Sequence, residues 1–397
     1  MRMSRMSMSG FSVAQPVSLS SSLSSSLSLA TLIALVMAVL LSACASDGDR
    51  PKPAPLAPVL PLMGARLAWK AAVKPIGFAL SVRVVADNIY VADSAGTVAA
   101  IDAKTGADVW RTDLATPLSA GVGSDGHFAA VVTSGNELVV LDNGKPLWRT
   151  RLSALTLTAP LVAGERVFVV SAERTVYAFD AATGRKLWSQ PRNADPLVLG
   201  QAGLLTAVGD TLVVGMAGHL VGMNPGNGAT RWDIVVANSR GTNEVERLAD
   251  VVDGFSRNGD QMCVRAFQYA ITCTDARAGK VQWTHSANGG NGIGGDTHVI
   301  VAAEADGRIA AYQRAEGTKL WEVESLRYRV LSGPLVVGKA AVLGDADGNL
   351  HMFSTADGSP LNRLSTDSSG ISVAPVLAAK LLVAVTRGGG IYAFRSE

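Results

Sequence analysis

Charge of one sign, cysteine, histidine and long apolar runs are all scarce in this chain of 397 residues. Lys and Arg number 35 against 33 Asp and Glu, a formal net charge of +2. No basic stripe or lysine run appears, which argues against a nucleic-acid binder. The five histidines, His127, His219, His285, His298 and His351, show no metal-ligand spacing, and isolated histidines are usually surface or satisfied core residues. No Ser/His/Asp order or paired carboxylate stands out against a background of turn aspartates. Gly290-x-Gly292-x-x-Gly295 formally fits a dinucleotide fingerprint, but it lacks the strand–helix setting that brings a pyrophosphate to a helix N-terminus and reads as a loop. Nothing in these absences asks for catalysis or a cofactor.

Aromatics are only 6% of the chain, yet the seven tryptophans all occupy one position of one recurring unit. Trp69, Trp110, Trp148, Trp188, Trp232, Trp283 and Trp321 follow one another at intervals of 41, 38, 40, 44, 51 and 38 residues. A period near forty with short alternating strands is the signature of a propeller. Asp-x-x-Thr-Gly before several of the indoles suits a hairpin loop in which Asp caps backbone amides and Gly takes a left-handed conformation. Asn143-Gly144 shortens that turn to two residues, a type I′ signal.

Eight hairpins can be counted. Their first strands are predicted at 97–102, 137–142, 175–180, 219–224, 269–275, 308–313, 349–354 and 390–395. Six partner strands carry Trp110 to Trp321. The seventh, 360–364, has Asn362 at the tryptophan position, so its blade is expected to dock least tightly and Asn362→Trp to stabilise it if a pocket remains. The eighth first strand runs out of chain, and its partner is predicted at 65–73 with Trp69, closing the ring and removing free sheet edges. Preceding strands are predicted at 89–92, 128–132, 167–170, 211–215, 262–265, 298–302, 340–343 and 381–384. Innermost strands are expected near 117–119, 158–161 and 204–206. The fold class is therefore all-β: an eight-bladed β-propeller of four-stranded antiparallel blades, over residues 64–397.

The first 43 residues read as an export signal: a basic head at Arg2 and Arg5, an apolar run from Leu29 to Leu41, and Leu-Ser-Ala before Cys44. The run is too short for a stable membrane span. Translation could start at Met6 or Met8. Leu41-Ser42-Ala43-Cys44 resembles a bacterial lipobox, in which the Cys44 thiolate accepts a diacylglycerol; the alternative is an ordinary signal peptide with a chance cysteine. Several acyl chains exceed what stable anchoring needs. Ala45 rather than Asp after the cysteine favours the outer membrane. Residues 44–63 carry Pro51, Pro53, Pro55, Pro58 and Pro61 with few apolar anchors, and read as an extended tether.

Ala-x-Asp-x-x-Thr-Gly-x-x-x-Trp, complete at Ala100–Trp110 and Ala178–Trp188, resembles the tryptophan-docking motif of quinoprotein-like eight-bladed propellers. With the lipobox and a bare ring of ~335 residues, nearly the whole mature chain resembles the lipoprotein family of the outer-membrane β-barrel assembly (BAM) machinery. That resemblance implies a non-enzymatic scaffold at the periplasmic face of the outer membrane. It would bind the POTRA domains of BamA and assist barrel insertion, with no cofactor. It also implies a partner surface built from a Leu-x-Leu-Arg segment after one docking tryptophan and an acidic stretch after the next. Here Leu197, Val198 and Leu199 follow Trp188, with Leu199 where the arginine is expected. After Trp232, Asp250 matches one acid, Val252 replaces the second, Asp253 lies next to it, and Arg247 could supply a charge in a shifted arrangement.

Two rivals share the ring: a dehydrogenase using pyrroloquinoline quinone and calcium, and a ligand-sensing propeller. The enzymes are much longer and commonly carry an adjacent Cys-Cys pair, whereas Cys44, Cys263 and Cys273 are never adjacent. Strand pairing centred on Gln268 would set Cys263 and Cys273 opposite one another at disulfide distance, and an oxidising periplasm favours a bridge. A register shift of one residue would instead leave two thiols on opposite faces.

Overall fold

The computed structural model of the chain describes residues 51–192, 198–237, 249–371 and 373–397. Those residues form eight four-stranded antiparallel sheets. Blades 1 to 7 are continuous in sequence, at residues 83–113, 118–151, 161–191, 205–235, 256–286, 293–323 and 335–365, each running from an innermost to an outermost strand. Blade 8 takes its inner three strands from residues 376–396 and its outermost from Ala65–Ala72. Ala65 pairs with Ser396 and Ala72 with Gly390, so the two ends of the ring share one sheet.

The second and third strands of each blade are mostly apolar and largely buried because both faces are covered. Asn88–Ala92 and Thr97–Asp102 are buried at nearly every position, while outermost Asp108–Asp113 alternates exposed and half-buried residues. The apolar core divides into eight clusters, one between each pair of neighbouring blades. Between blades 2 and 3, for example, Leu138 and Val140 meet Val167 and Val169. Stability is therefore distributed around the circle, and each interface must be fixed on its own.

The tryptophans fix them. Each indole rests on the hairpin turn of the next blade, where a glycine holds φ of 65–82° at Gly106, Gly144, Gly184, Gly228, Gly279, Gly317 and Gly358. A Cβ at any of these glycines would lie 2.5–2.7 Å from the preceding tryptophan or the side chain beside it. The turns are built as expected: the Asp102 carboxylate accepts from the amide and hydroxyl of Thr105, each at 2.8 Å. Indole Nε1 donates to a carbonyl in the neighbouring blade from Trp69 (Ala103, 2.9 Å), Trp148 (Ala181, 2.7 Å), Trp188 (Pro225, 3.0 Å), Trp283 (Arg314, 2.8 Å) and Trp321 (Thr355, 2.9 Å). A bulge precedes the tryptophan position in all eight outermost strands, and it re-aims the indole across the interface. In three blades the bulged residue, Val109, Leu147 or Leu320, turns out to solvent, while Leu187 and Leu361 at the same position stay half-buried against the core. The periodicity alone did not reveal that bulge.

The seventh position corrects one expectation. A docking tryptophan needs a glycine turn on the next blade, and in blade 8 that turn is replaced by the seam between the chain ends. Asn362 serves the seam: it is 8% exposed, and its Nδ2 donates to the Met63 carbonyl at 2.7 Å. Met63 packs into the cluster between blades 7 and 8. Asn362→Trp is thus expected to destabilise by about 1–3 kcal/mol through overpacking, read as a lower midpoint in thermal unfolding; a raised midpoint would contradict this account.

Two further expectations shift. The innermost strands begin later than predicted, at Leu118–Ser124, Leu161–Ala163 and Leu205–Val208, because the residues before them are spent crossing from the previous blade's rim to the axis. Residues 52–63 do not run free of the ring either. They lie along the edge of blade 7, where Leu56 and Met63 turn inward. Cys263 and Cys273 are directly opposed in strands Gln261–Ala266 and Ala270–Asp275 and are joined by a disulfide. The turn between them places Gln268 at φ 50°. Gly290 and Gly292 lie in the connection between blades 5 and 6, where Gly292 packs against the backbone of Asp253 and Gly254, but Gly295 ends the innermost strand of blade 6, Ile293–Gly295, rather than lying in the loop.

Candidate partner-binding site

Propeller connections fall on two rims. One rim carries the turns between second and third strands together with the crossings to the next blade, and the two longest crossings, 192–204 and 236–255, flank blade 4. Long loops on a rigid scaffold are where binding residues concentrate. These two are drawn together by one carboxylate. Asp250 Oδ1 accepts from Arg174 Nη1 at 2.8 Å and from the Ala217 amide at 3.0 Å, and Oδ2 accepts from the Leu199 amide at 3.2 Å. Its own carbonyl accepts from the Phe267 amide at 2.9 Å. One residue thereby ties the turns of blades 3, 4 and 5 to the crossing that carries Val198 and Leu199.

Arg174 and Asp250 are both nearly enclosed, with side chains 7% and 14% exposed. A buried ion pair gains little net stability when intact but is costly to break from one side. Here the pair is satisfied inside the protein, and Asp250 braces the two crossings. Arg174 went unpredicted. Its one sequence signal is its place in a two-strand turn, where it sits at φ 57°. A small cleft beside the pair is walled by Leu157, Val170, Val198, Leu199, Met216 and Val251. Val198 and Leu199 are half-buried at its edge.

Asp253 is not part of this cluster. It lines the axial cavity, of about 230 Å³, whose wall also includes Leu80, Gln201, Asn291, Leu331 and Arg387. Burial pushes its carboxyl up, against the Gly254 amide and the charge of Arg83. Leu197, Arg247 and Cys44 lie outside the described residues. Among the described residues, no group of three or more His, Cys, Asp or Glu side chains is placed to hold a metal ion.

A second buried network sits in blade 7. Asp345 and His351 are 1% and 2% exposed, and His351 Nε2 lies 2.9 Å from Asp345 Oδ2. Burial pushes the Asp345 carboxyl up, but bonds from His351 and Asn349 outweigh it and leave it at about 2, below the ordinary 3.8. A depressed carboxylate contributes stability that is full above the unfolded value and disappears as pH falls through the folded one. Asp345→Asn is therefore expected to cost about 2 kcal/mol at pH 7 and to flatten the acid limb between pH 4 and 2. Urea unfolding across that range checks it; an unchanged pH slope would refute it.

Comparison with known proteins sets this geometry in a family. The family model described as outer membrane protein assembly factor BamB matches residues 94–322 and 305–397. The outer membrane protein assembly factor BamB of Burkholderia pseudomallei is 37% identical over 90% of this chain and 95% of its own length. The chain belongs to the BamB family. A second BamB, from Bordetella pertussis, is 32% identical over 90% of this chain and 94% of its own. The crystal structure of BamB from Moraxella catarrhalis shares the fold, with a TM-score of 0.77 at 21% identity, covering 84% of this chain and all of that one. The BamB match spans the blades on both sides of the Arg174–Asp250 brace, so the candidate site lies within the shared body.

Proposed function

We propose that this chain is a scaffold subunit of outer-membrane β-barrel assembly, working by binding and positioning rather than by catalysis. The membership in the BamB family carries this reading, since the relatives are named as outer membrane protein assembly factors. In this reading the signal occupies residues 1–43, Cys44 is lipidated, and the ring is held at the periplasmic face of the outer membrane. The partner is the POTRA region of BamA, and through it the rest of the BAM complex. Val198 and Leu199, which Leu197 precedes in sequence, offer apolar side chains, while Asp250, paired with Arg174, holds the Leu199 amide in place. A rigid aliphatic pair at the edge of a cleft is a fitting anchor for a partner strand or loop.

The test is affinity purification of the tagged lipoprotein with mass spectrometry of its partners. The Val198→Asp, Leu199→Asp double variant should lose at least tenfold of the captured barrel-assembly protein with its melting midpoint unchanged, because neither side chain is fully buried. Full capture by that variant would sink the site assignment. Absence of any such partner in the wild-type sample would sink the function.

A further inference from the structure

The proline-rich segment before the ring makes contacts that a bare tether would not. Ala54 donates its amide to the Arg327 carbonyl at 2.9 Å, and its own carbonyl accepts from Arg329 Nε and Nη2 at 3.2 and 3.0 Å. The Ala57 carbonyl accepts from Arg363 Nη1 at 3.0 Å. The Leu62 amide donates to the Leu361 carbonyl at 2.8 Å, and the Met63 carbonyl accepts from Asn362. The segment thus runs antiparallel to the outermost strand of blade 7, Pro360–Ser365, and covers its edge.

The two arginines that hold it are themselves coupled. Arg363 Nε donates to His351 Nδ1 at 3.4 Å, which leaves Nε2 as the donor to Asp345, and Asp345 in turn lies 3.4 Å from Arg329 Nη1. Asp347 holds Arg329 from the other side at 2.6 Å. The buried carboxylate and imidazole therefore set both guanidinium groups, whose remaining N–H groups reach the segment's carbonyls. Prolines at 51, 53, 55, 58 and 61 supply no N–H. They prevent a regular fifth strand while leaving carbonyls to accept. The composition makes a strap that caps an edge without extending the sheet.

We propose that residues 54–63 are a docked strap that fixes where the chain leaves the ring. That point is the blade 7 end of the rim carrying the long crossings, since Ala54 meets the 324–334 connection. The crossings that carry Val198, Leu199 and Asp250 flank blade 4, three blades from blade 7 in a ring of eight, so the chain departs more than a third of a turn from the candidate site. The consequence for membrane reach rests on the lipidation of Cys44 proposed above. Ten residues separate Cys44 from Ala54, against twenty-one from Cys44 to Ala65. Fully extended they span at most ~36 Å rather than ~76 Å. The strap holds the ring close to its anchor and leaves the blade 4 side for a partner.

Full-length protein extracted from membranes tests this by proteinase K cleavage and by amide exchange. Arg329→Ala with Arg363→Ala should speed cleavage within 54–63 at least tenfold, while Ala65–Ala72 stays protected. Equal rates in wild type and variant would overturn the strap. Should the variant misfold, the wild-type Leu62 amide decides: it should exchange at least tenfold slower than in a free peptide of residues 52–64, and equal exchange overturns the proposal. Intact mass of the same sample reports acylation of Cys44 separately. Protection without acylation keeps the strap and refutes only the membrane reach.

Discussion

Deletion of residues 65–72 is expected to abolish cooperative folding, giving aggregated protein or a broad transition in place of a single melting step. The strand removed contributes the whole outer edge of blade 8, paired to Gly390–Ser396 from Ala65 to Ala72. It also contributes Trp69, whose indole lies over Gly106 of blade 1 and donates to the Ala103 carbonyl at 2.9 Å. Loss of a docked tryptophan costs about 3–5 kcal/mol, and a ladder of several bonds adds about 1 kcal/mol each. Together these approach the roughly 5–15 kcal/mol by which a domain is stable at all. The strand Gly390–Ser396 would also be left as a bare edge, open to pairing with another chain. Size-exclusion chromatography and calorimetry read the outcome; a monomer with an unchanged midpoint would show that closure is not made by this strand. Trp69→Ala alone should cost only the first part, leaving a monomeric, less stable ring.

The architecture was legible because a propeller writes its period into the chain. Blade count, closure by the N-terminal strand and the limits of Thr97–Asp102, Glu137–Asp142 and Thr175–Asp180 follow from tryptophan spacing, Asp-Thr-Gly turns and apolar alternation. What was not legible is relational. Asn362 reads as a defect until its neighbour blade is known to lack a turn. The proline-rich residues 51–61 read as a loose linker until Arg329 and Arg363, some 300 residues away, are seen to donate to the carbonyls of Ala54 and Ala57. The internal role of Asp250 shows only once Arg174, 76 residues away, is seen beside it. In each case the sequence states a residue's chemistry, and only the fold supplies what that chemistry is spent on. The innermost strands went astray for a related reason: at three to seven residues they are too short to show alternation of their own.

Arg174→Ala is expected to disturb the candidate site more than any change at its surface. Among the described residues, removing the guanidinium leaves the Asp250 carboxylate, 14% exposed, with only the amides of Leu199 and Ala217. An uncompensated buried charge typically costs about 3–5 kcal/mol. The cost falls on three turns and one crossing at once, since Asp250 links the rims of blades 3, 4 and 5 to the Leu199 segment. Thermal unfolding should show a loss of that order, and amide exchange should rise around Leu199 and Phe267 while distant blades keep their protection. Partner capture should fall in parallel, because Val198 and Leu199 lose the support of their backbone. Pairing Arg174→Met with Asp250→Leu removes both charges but also the acceptor of the Leu199 and Ala217 amides, so stability should return only in part. Capture should stay low in this variant, because the crossing that carries Val198 and Leu199 is still unsupported. Capture at the wild-type level would overturn the brace as the support of the site.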